Sequence, residues 1–389
     1  MKDAKLPSRL GEVALVFLRL GAFSFGGPAV YIALMHQETV HRRQWIDEQR
    51  FLDLVGATNL IPGPNATEMA IHLGLIRAGW TGLITGGALF ILPGVAATLF
   101  VAWAYTTWGS IPEVGWVLYG VKPVVIAFVV DALWGLGKKA VKGIPTSVVG
   151  IGVVTLYLLG FNEIALLFGG AAVILLVYGV RRFVKGGLLA LAPIPVPYFL
   201  ASPAFSAGAV PFSSARLFFS FLKIGSVLFG SGYVLLAFLR SEFVERLGWL
   251  TSQQILDAVI AGQITPGPVF SSATFVGYLL GGWPAALLAT LGIFLPSFLF
   301  VGLLSRILPV VRKSPWAGAF LDGVNIASLG LMAGAAVQLG RAAIVDVFTL
   351  VLLLAALLAI FRLKISSIWL IPAGAVLGVM YKLAAGWLR

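Results

Sequence analysis

Apolar residues in this chain come in long unbroken runs parted by short polar clusters, with neither the strict alternation of a half-buried strand nor a single amphipathic helical stripe. Runs at about 80 to 106, 116 to 137, 144 to 160 and 163 to 180 have the length of membrane-crossing helices. Ahead of them the pattern predicts a helix over about 10 to 35 that carries FSFGGP, then a polar amphipathic stretch, HQETVHRRQWIDEQR. An interrupted apolar segment follows, FLDLVGATNLIPGPNATEMAIHLGL. Its PGP must end one helix and begin another, because proline lacks an N–H and clashes with the preceding turn. The first helix and the interrupted segment are each read as one crossing.

The same string occurs twice. At an offset of 204, Phe17, Gly21, Phe25, Gly26, Glu38, Trp45, Asp53, Pro62, Gly63 and Pro64 fall on Phe221, Gly225, Phe229, Gly230, Glu242, Trp249, Asp257, Pro266, Gly267 and Pro268. After a one-residue deletion, Gly74, Trp80 and Pro93 fall on Gly277, Trp283 and Pro296. The organisation read from this is an N-terminal membrane repeat over 1–182, a Pro-rich apolar linker or crossing segment over 183–212, and a C-terminal membrane repeat over 213–389.

Composition fixes the solvent. With 59% hydrophobic and 11% charged residues, no water-soluble fold of 389 residues could keep its surface wet. Backbone groups in lipid must pair internally, and runs this continuous are too long for barrel strands, so the fold class is an all-α polytopic membrane protein. Two homologous halves of about five to six membrane segments each, with a broken helix at PGP, complete it. There is no cysteine, hence no disulfide or thiolate metal site, and His36, His41 and His72 match no metal-ligand spacing, so neither metal nor cofactor is expected. The start MKDAKLPSRLGEV lacks a signal-peptide pattern, so the first helix is expected to be retained. The net charge of +12 suits either a basic cytoplasmic face or a field that draws in an anion.

Charge also bears on orientation. If the linker crosses, the second half is inverted, and 17 of the 27 Lys and Arg lie in loops on the N-terminal side against 7 opposite; otherwise the split is 14 against 10. The remaining three, Arg19, Lys122 and Lys223, fall inside spans. The positive-inside rule therefore favours inverted repeats. Inverted halves with broken helices are the architecture of many secondary transporters, whose sites lie where the breaks meet. That step is an analogy of architecture.

Each break presents a new helix N-terminus, whose free N–H groups and dipole favour an anion. Pro62, Gly63 and Pro64 are followed by Asn65 and Thr67; Pro266, Gly267 and Pro268 are flanked by Thr265 and Ser271. Kinking alone is the alternative role. Phe25, Gly26, Gly27 and Pro28, with Gly230 in the second half, permit close backbone approach to a ligand or to another helix. Arg19 and Lys223 occupy equivalent places within spans, where a cation needs a partner, water or a function. They could neutralise a dianion between the halves or snorkel to the surface. Asp53, Glu68 and Asp257 could carry protons, and the two Asp could equally pair with Arg19 or Lys223.

The chain shows no zincin, Walker A, nucleophile-elbow or dinucleotide motif, so no enzyme and no ATP site are expected. At FSFGGP (23–28), Glu38 with Trp45, NLIPGPNAT (59–67), FILPG (90–94), ITPGP (264–268) and FLPSF (294–298), the sequence resembles the chromate ion transporter family in its long two-domain form. The resemblance implies export of chromate across the inner, cytoplasmic membrane, with sulfate as a mimic, proton or ion coupling and halves of opposite orientation. It also implies that the motif residues line the pathway. Because Ser231-Gly232 and Val269 replace Gly27-Pro28 and Asn65, the first half is expected to supply most substrate contacts. The lipid bilayer is a partner, nucleic acid is not, and a homodimer is entertained because many carriers form one. A sulfate or other small-anion carrier, or a non-transporting anion sensor or scaffold, is the alternative.

Overall fold

The computed structural model describes residues 6–23, 28–58, 60–108, 112–186, 211–229, 234–305, 314–365 and 367–387. Among these every regular element is helical. In the first half α1 (Leu6–Phe23) and α2 (Pro28–His36) lead into a π-helical turn (Gln37–Arg42), then α3 (Glu48–Thr58), α4 (Asn65–Trp108), α5 (Pro112–Ala140), α6 (Ile144–Leu158) and α7 (Glu163–Gly186). The second half repeats the series as α8 (Ser214–Val227), α9 (Leu235–Arg240) with a π-helical turn (Ser241–Arg246), α10 (Ser252–Ile264), a 3₁₀ turn (Val269–Ser271), α11 (Ser272–Leu304), α12 (Pro315–Ala343), α13 (Val347–Phe361) and α14 (Ser367–Trp387). The 183–212 linker lies mostly outside the described residues.

Among the described residues, five helices are long and apolar enough to cross a membrane. Two of them, α4 and α11, are hairpins. At Gly79 and Gly282 the chain takes φ +64° and +65°, which glycine adopts without penalty, and reverses. Gly74 then lies against Gly82 and Gly86, and Gly277 against Ala285 and Ala289. Each hairpin has a short arm, 65–78 or 272–281, and a long arm. The arm from 79 to 108 is about 45 Å long, enough for a full crossing.

The first helix and the interrupted segment do not cross, contrary to the sequence reading. The arm that follows Pro28 lies back along α1, so that Leu34, Gln37 and Glu38 face Leu15, Val16 and Arg19. In the second half Ser220 and Lys223 of α8 reach Glu242 in the same way, and Phe221 packs on Phe243. The PGP tips also fold back. Gly262 of α10 abuts Ser272 of α11, and the outer end of the short arm of α4 returns to the start of α1 through Arg77 and Glu12. Proline breaks predict a kink; reversal needs the extra freedom of Gly63 (φ +138°) and Gly267 (φ +88°) between the two prolines. Each half therefore inserts two re-entrant hairpins from one face and continues into crossing helices.

The halves run antiparallel. Trp80, at the start of the long arm of α4, packs over Gly302 near the end of α11, while Phe298 packs over Gly87. Equivalent helices in opposite directions make the pair an inverted repeat. The halves also intertwine: α5 packs along α13 and α14, and α12 along α6 and α7. Small residues allow these close approaches, Gly120 on Gly374 and Gly378, and Gly323 on Gly170 and Ala171. Outward faces are apolar, as in the stripe Leu291, Leu295, Leu299 and Leu303. A chain solvated by lipid gains nothing by hiding such residues.

Candidate functional site: two tips where the halves cross over

Each PGP tip is held by the other half. The N–H of Gly63 donates to the carbonyl of Leu228, at the end of α8, at 2.8 Å. In the mirror position the carbonyl of Gly21 lies close to Gly267, and the hydroxyl of Tyr31 donates to the Gly267 carbonyl at 2.8 Å. The long arms seal the contact. A Cβ on Gly94 would strike the Pro266 carbonyl, and one on Gly63 would strike the Glu68 carboxyl and the Ser297 hydroxyl. Pro93-Gly94 and Pro296-Ser297, equivalent in the repeat, thus each face the other half's PGP. Helix N-termini and C-termini both end at these tips, so dipoles alone do not set the sign of a guest; side chains do.

At the first tip Thr67, Glu68 and Ser297 are fully buried, and the Thr67 hydroxyl, both carboxyl oxygens of Glu68 and the Ser297 hydroxyl have no hydrogen-bond partner among the described residues. His72, one turn on, is 3% exposed with Nε2 equally alone. Buried polar atoms are rarely left so, and a concentration of them calls for a proton, a water or a ligand to complete it. Pro62 and Asn65 are half-buried beside them, while Gly63 and Pro64 are buried.

The second tip is satisfied. Thr98 on the long arm of α4 lies 2.9 Å from the Thr265 hydroxyl and donates to the Ser271 hydroxyl at 3.0 Å, while Thr265 can give its one proton either to Thr98 or to the Ala261 carbonyl, 2.9 Å away. All three hydroxyls are buried. Each has one proton and can accept as well, so the trio can turn its donors toward an incoming acceptor. Their equivalents at the first tip are Val301, Ile61 and Thr67, the first two inside an apolar cluster. Pro266 is half-buried and Pro268 buried.

Asp257 does not pair with Lys223. It binds Lys122 at 2.9 Å and accepts from the Tyr105 hydroxyl at 2.9 Å, all within the bundle. The reversal of the PGP hairpin carries α10 onto α4 and α5, out of reach of α8. Lys223 pairs with Glu242, which also accepts from Arg246 and Ser220. Its equivalent, Glu38, pairs with Arg42 and Arg43. Burial opposes ionisation of both glutamates, but the hydrogen bonds from their arginines (with Lys223 for Glu242) outweigh it and hold both carboxyls below the ordinary range. Arg19 is exposed and opens on a cleft of about 260 Å³ with Gln37, Glu38 and Arg43. Asp53 is exposed as well and accepts from Gln49 at 3.3 Å. Pro28 begins α2; Phe25, Gly26, Gly27 and Gly230 lie outside the described residues.

Glu242, Thr98 and Tyr105 did not emerge as site residues from the sequence, and Ser297 did so only as a member of FLPSF. Glu242 was visible as the repeat partner of Glu38, but partners of a PGP tip on the other half's long arm appear only once the halves are known to cross over.

Inverted repeats with re-entrant hairpins whose tips pair across the repeat axis define a class of polytopic membrane protein. The chain belongs to the chromate transporter family: the family's sequence profile, described as chromate transporter, matches residues 11–177 and again 215–379. A probable chromate transport protein of Synechococcus elongatus is 32% identical over 379 residues, 96% of this chain and 95% of that one. The chromate transport protein of Cupriavidus metallidurans is 34% identical over 376 residues, 95% and 92% of the two chains. That of Pseudomonas aeruginosa is 33% identical over 334 residues, 84% and 80%. No solved structure matches the chain.

Proposed function

We propose that this protein is a secondary transporter that exports chromate, or a related tetrahedral oxyanion such as sulfate, across the inner membrane by alternating access. The observation that carries the reading is the unequal furnishing of the two tips. A movable hydroxyl trio at one suits an oxyanion, and an unpartnered buried carboxyl at the other suits a proton. The relatives named as chromate transport proteins supply the ion. A carboxyl beside the first tip makes that place unwelcoming to a dianion, so the reading moves substrate contact from the first PGP to Thr98, Thr265 and Ser271, with Pro266, Gly267 and Pro268 as frame. Glu68 is the proton-coupling residue of choice. Asp257, held by Lys122 and Tyr105, fits a latch better, and exposed Asp53 has no place in the relay.

The folded-back hairpins sharpen the charge argument. Arg42, Arg43, Arg50 and Arg77 now share a face with Lys138, Lys139, Arg181 and Arg182, while Arg216, Arg246, Arg341 and Lys382 share the other. The first face is the cytoplasmic one by the positive-inside rule. Chromate and sulfate are tetrahedral dianions that hydroxyl donors separate poorly, so sulfate is the natural competitor.

Chromate flux into inverted vesicles holding the purified protein, with and without an imposed proton gradient and with sulfate as competitor, tests this. Gradient-dependent chromate entry is expected. Flux of sulfate alone would move the assignment to a general anion carrier, and saturable binding without flux would replace it with a sensor.

A further inference from the structure

The described residues contain one group of metal-ligating side chains, at the face where the polypeptide begins: His36 at the end of α2, His41 in the π-helical turn and Glu48 at the start of α3. The linear spacing hides it. In an α-helix residues five apart point about 140° away from each other. The π-helical turn pairs i with i+5 instead, and the two imidazoles come to 4.8 Å, ring centre to ring centre. His36 Nε2 stands 3.3 Å from Glu48 Oε1, and one ligand atom from each of the three lies within 4.8 Å of the others. Four-coordinate zinc with bonds of about 2.0–2.2 Å needs ligand atoms about 3.4 Å apart. The His36–Glu48 pair already meets that, and rotation of the exposed His41 ring closes the rest.

The second half shows what the place is for. The positions equivalent to His36 and His41 are Arg240 and Glu245, which form an ion pair, and Arg240 also donates to Gln338 of α12. That half fastens its π-helical turn with charge of its own. The first half carries two imidazoles and a carboxylate in the corresponding place, a set that calls for a cation between them.

We infer that His36, His41 and Glu48 bind a divalent transition metal of the zinc, nickel or cobalt class, which clasps the first re-entrant hairpin to the second at this face. Two borderline imidazoles beside one carboxylate suit those ions rather than magnesium or calcium, which take oxygen ligands. The ion replaces the Arg240–Glu245 pair of the opposite face, and its removal loosens α2 from α3. The site leaves at least one coordination position for water.

The test uses the full chain in detergent, purified without a polyhistidine tag. Zn²⁺ binding is followed by titration calorimetry and Co²⁺ binding by its visible absorption, beside His41→Ala, Glu48→Gln and the double variant His36→Ala/His41→Ala. One saturable ion per chain in the micromolar range is expected. His41→Ala should weaken it by about 10- to 100-fold, and the double variant should abolish it. A melting temperature raised by Zn²⁺ in the parent but not in His41→Ala is the second expected readout, and because His41 is exposed that variant keeps its fold. No saturable binding below about 1 mM, or an isotherm unchanged in the double variant, overturns the site.

Discussion

At the first PGP tip a buried glutamate stands where the second has Ser272, and the second tip has a hydroxyl trio where the first has Val301, Ile61 and Thr67. The backbones are alike: both reverse at a positive-φ glycine between prolines, and both lean on the other half's first hairpin. An inverted repeat begins with two equivalent places on either side of its axis. On the proposed function, divergence of a few side chains gives one of these places to an anion and the other to a proton on an otherwise equivalent scaffold. Coupling then needs no long relay, because either occupant alters the packing of tips that both halves share.

The sharpest way to break this comparison is to destroy one tip's geometry and not the other's. Gly63→Leu places a side chain on a φ of +138°, into the Glu68 carboxyl and the Ser297 hydroxyl. Loss of all measurable chromate flux is expected while the protein still elutes as a folded species in detergent. Retained flux would show that the first tip is not on the working path.

Glu68→Gln keeps the size and polarity of the side chain and removes only its capacity to exchange a proton. Gradient-driven flux should fall by about 100-fold, or about 2.7 kcal/mol in coupling, while chromate–chromate exchange across the membrane persists. Equal loss of both would make Glu68 a structural or substrate residue. Thr265→Val and Ser271→Ala should do the opposite. Each removes one donor at the second tip and should raise the chromate KM about tenfold, the cost of one hydrogen bond to a charged group, with little change in proton dependence.

Much of this was legible before the fold. The twofold repeat, the breaks at PGP and the all-helical membrane class follow from sequence, because proline, glycine and hydropathy act locally, and the distribution of Lys and Arg favoured antiparallel halves. The direction of the chain after a break does not. A proline signals that a helix ends, but only packing decides between kink and reversal, so two segments read as crossings are re-entrant hairpins. Ion pairs suffered most. Asp257 looked available to Lys223 when α10 was drawn as part of a crossing, and the reversal hands it to Lys122 and Tyr105. Asp53, the same residue in the repeat, is exposed, and Asn325 takes the place of Lys122.

That second asymmetry can be measured as stability. Lys122→Met or Asp257→Asn leaves a buried polar or charged partner without its mate. Each single variant should lose about 3–5 kcal/mol, read as a lower melting temperature in detergent. The double variant Lys122→Met/Asp257→Asn should recover much of the loss. The matching change Asp53→Asn should cost under about 0.5 kcal/mol, as expected of an exposed residue. If the double variant is no better than the worse single, the pair serves the pathway rather than the fold.

The smallest expected difference concerns Arg19 and Lys223, the two cations of the first hairpins, which the sequence treats as equivalents. Arg19 opens on the cleft between α1 and α2 with no ion-pair partner among the described residues, whereas Lys223 shares Glu242 with Arg246 and Ser220. Removing Lys223 leaves Glu242 still neutralised by Arg246, so Lys223→Gln should change chromate flux by less than about threefold. Arg19→Gln takes the cation away from a cleft that the proposed function puts on the path of the anion, and flux should drop about tenfold, roughly 1.4 kcal/mol, with Arg19→Lys restoring most of it because charge matters there more than geometry. Initial rates for the three variants at subsaturating chromate decide the matter. A loss in Lys223→Gln as deep as in Arg19→Gln would return both cations to the pathway on equal terms, and the division of labour between the halves would then begin only at the tips.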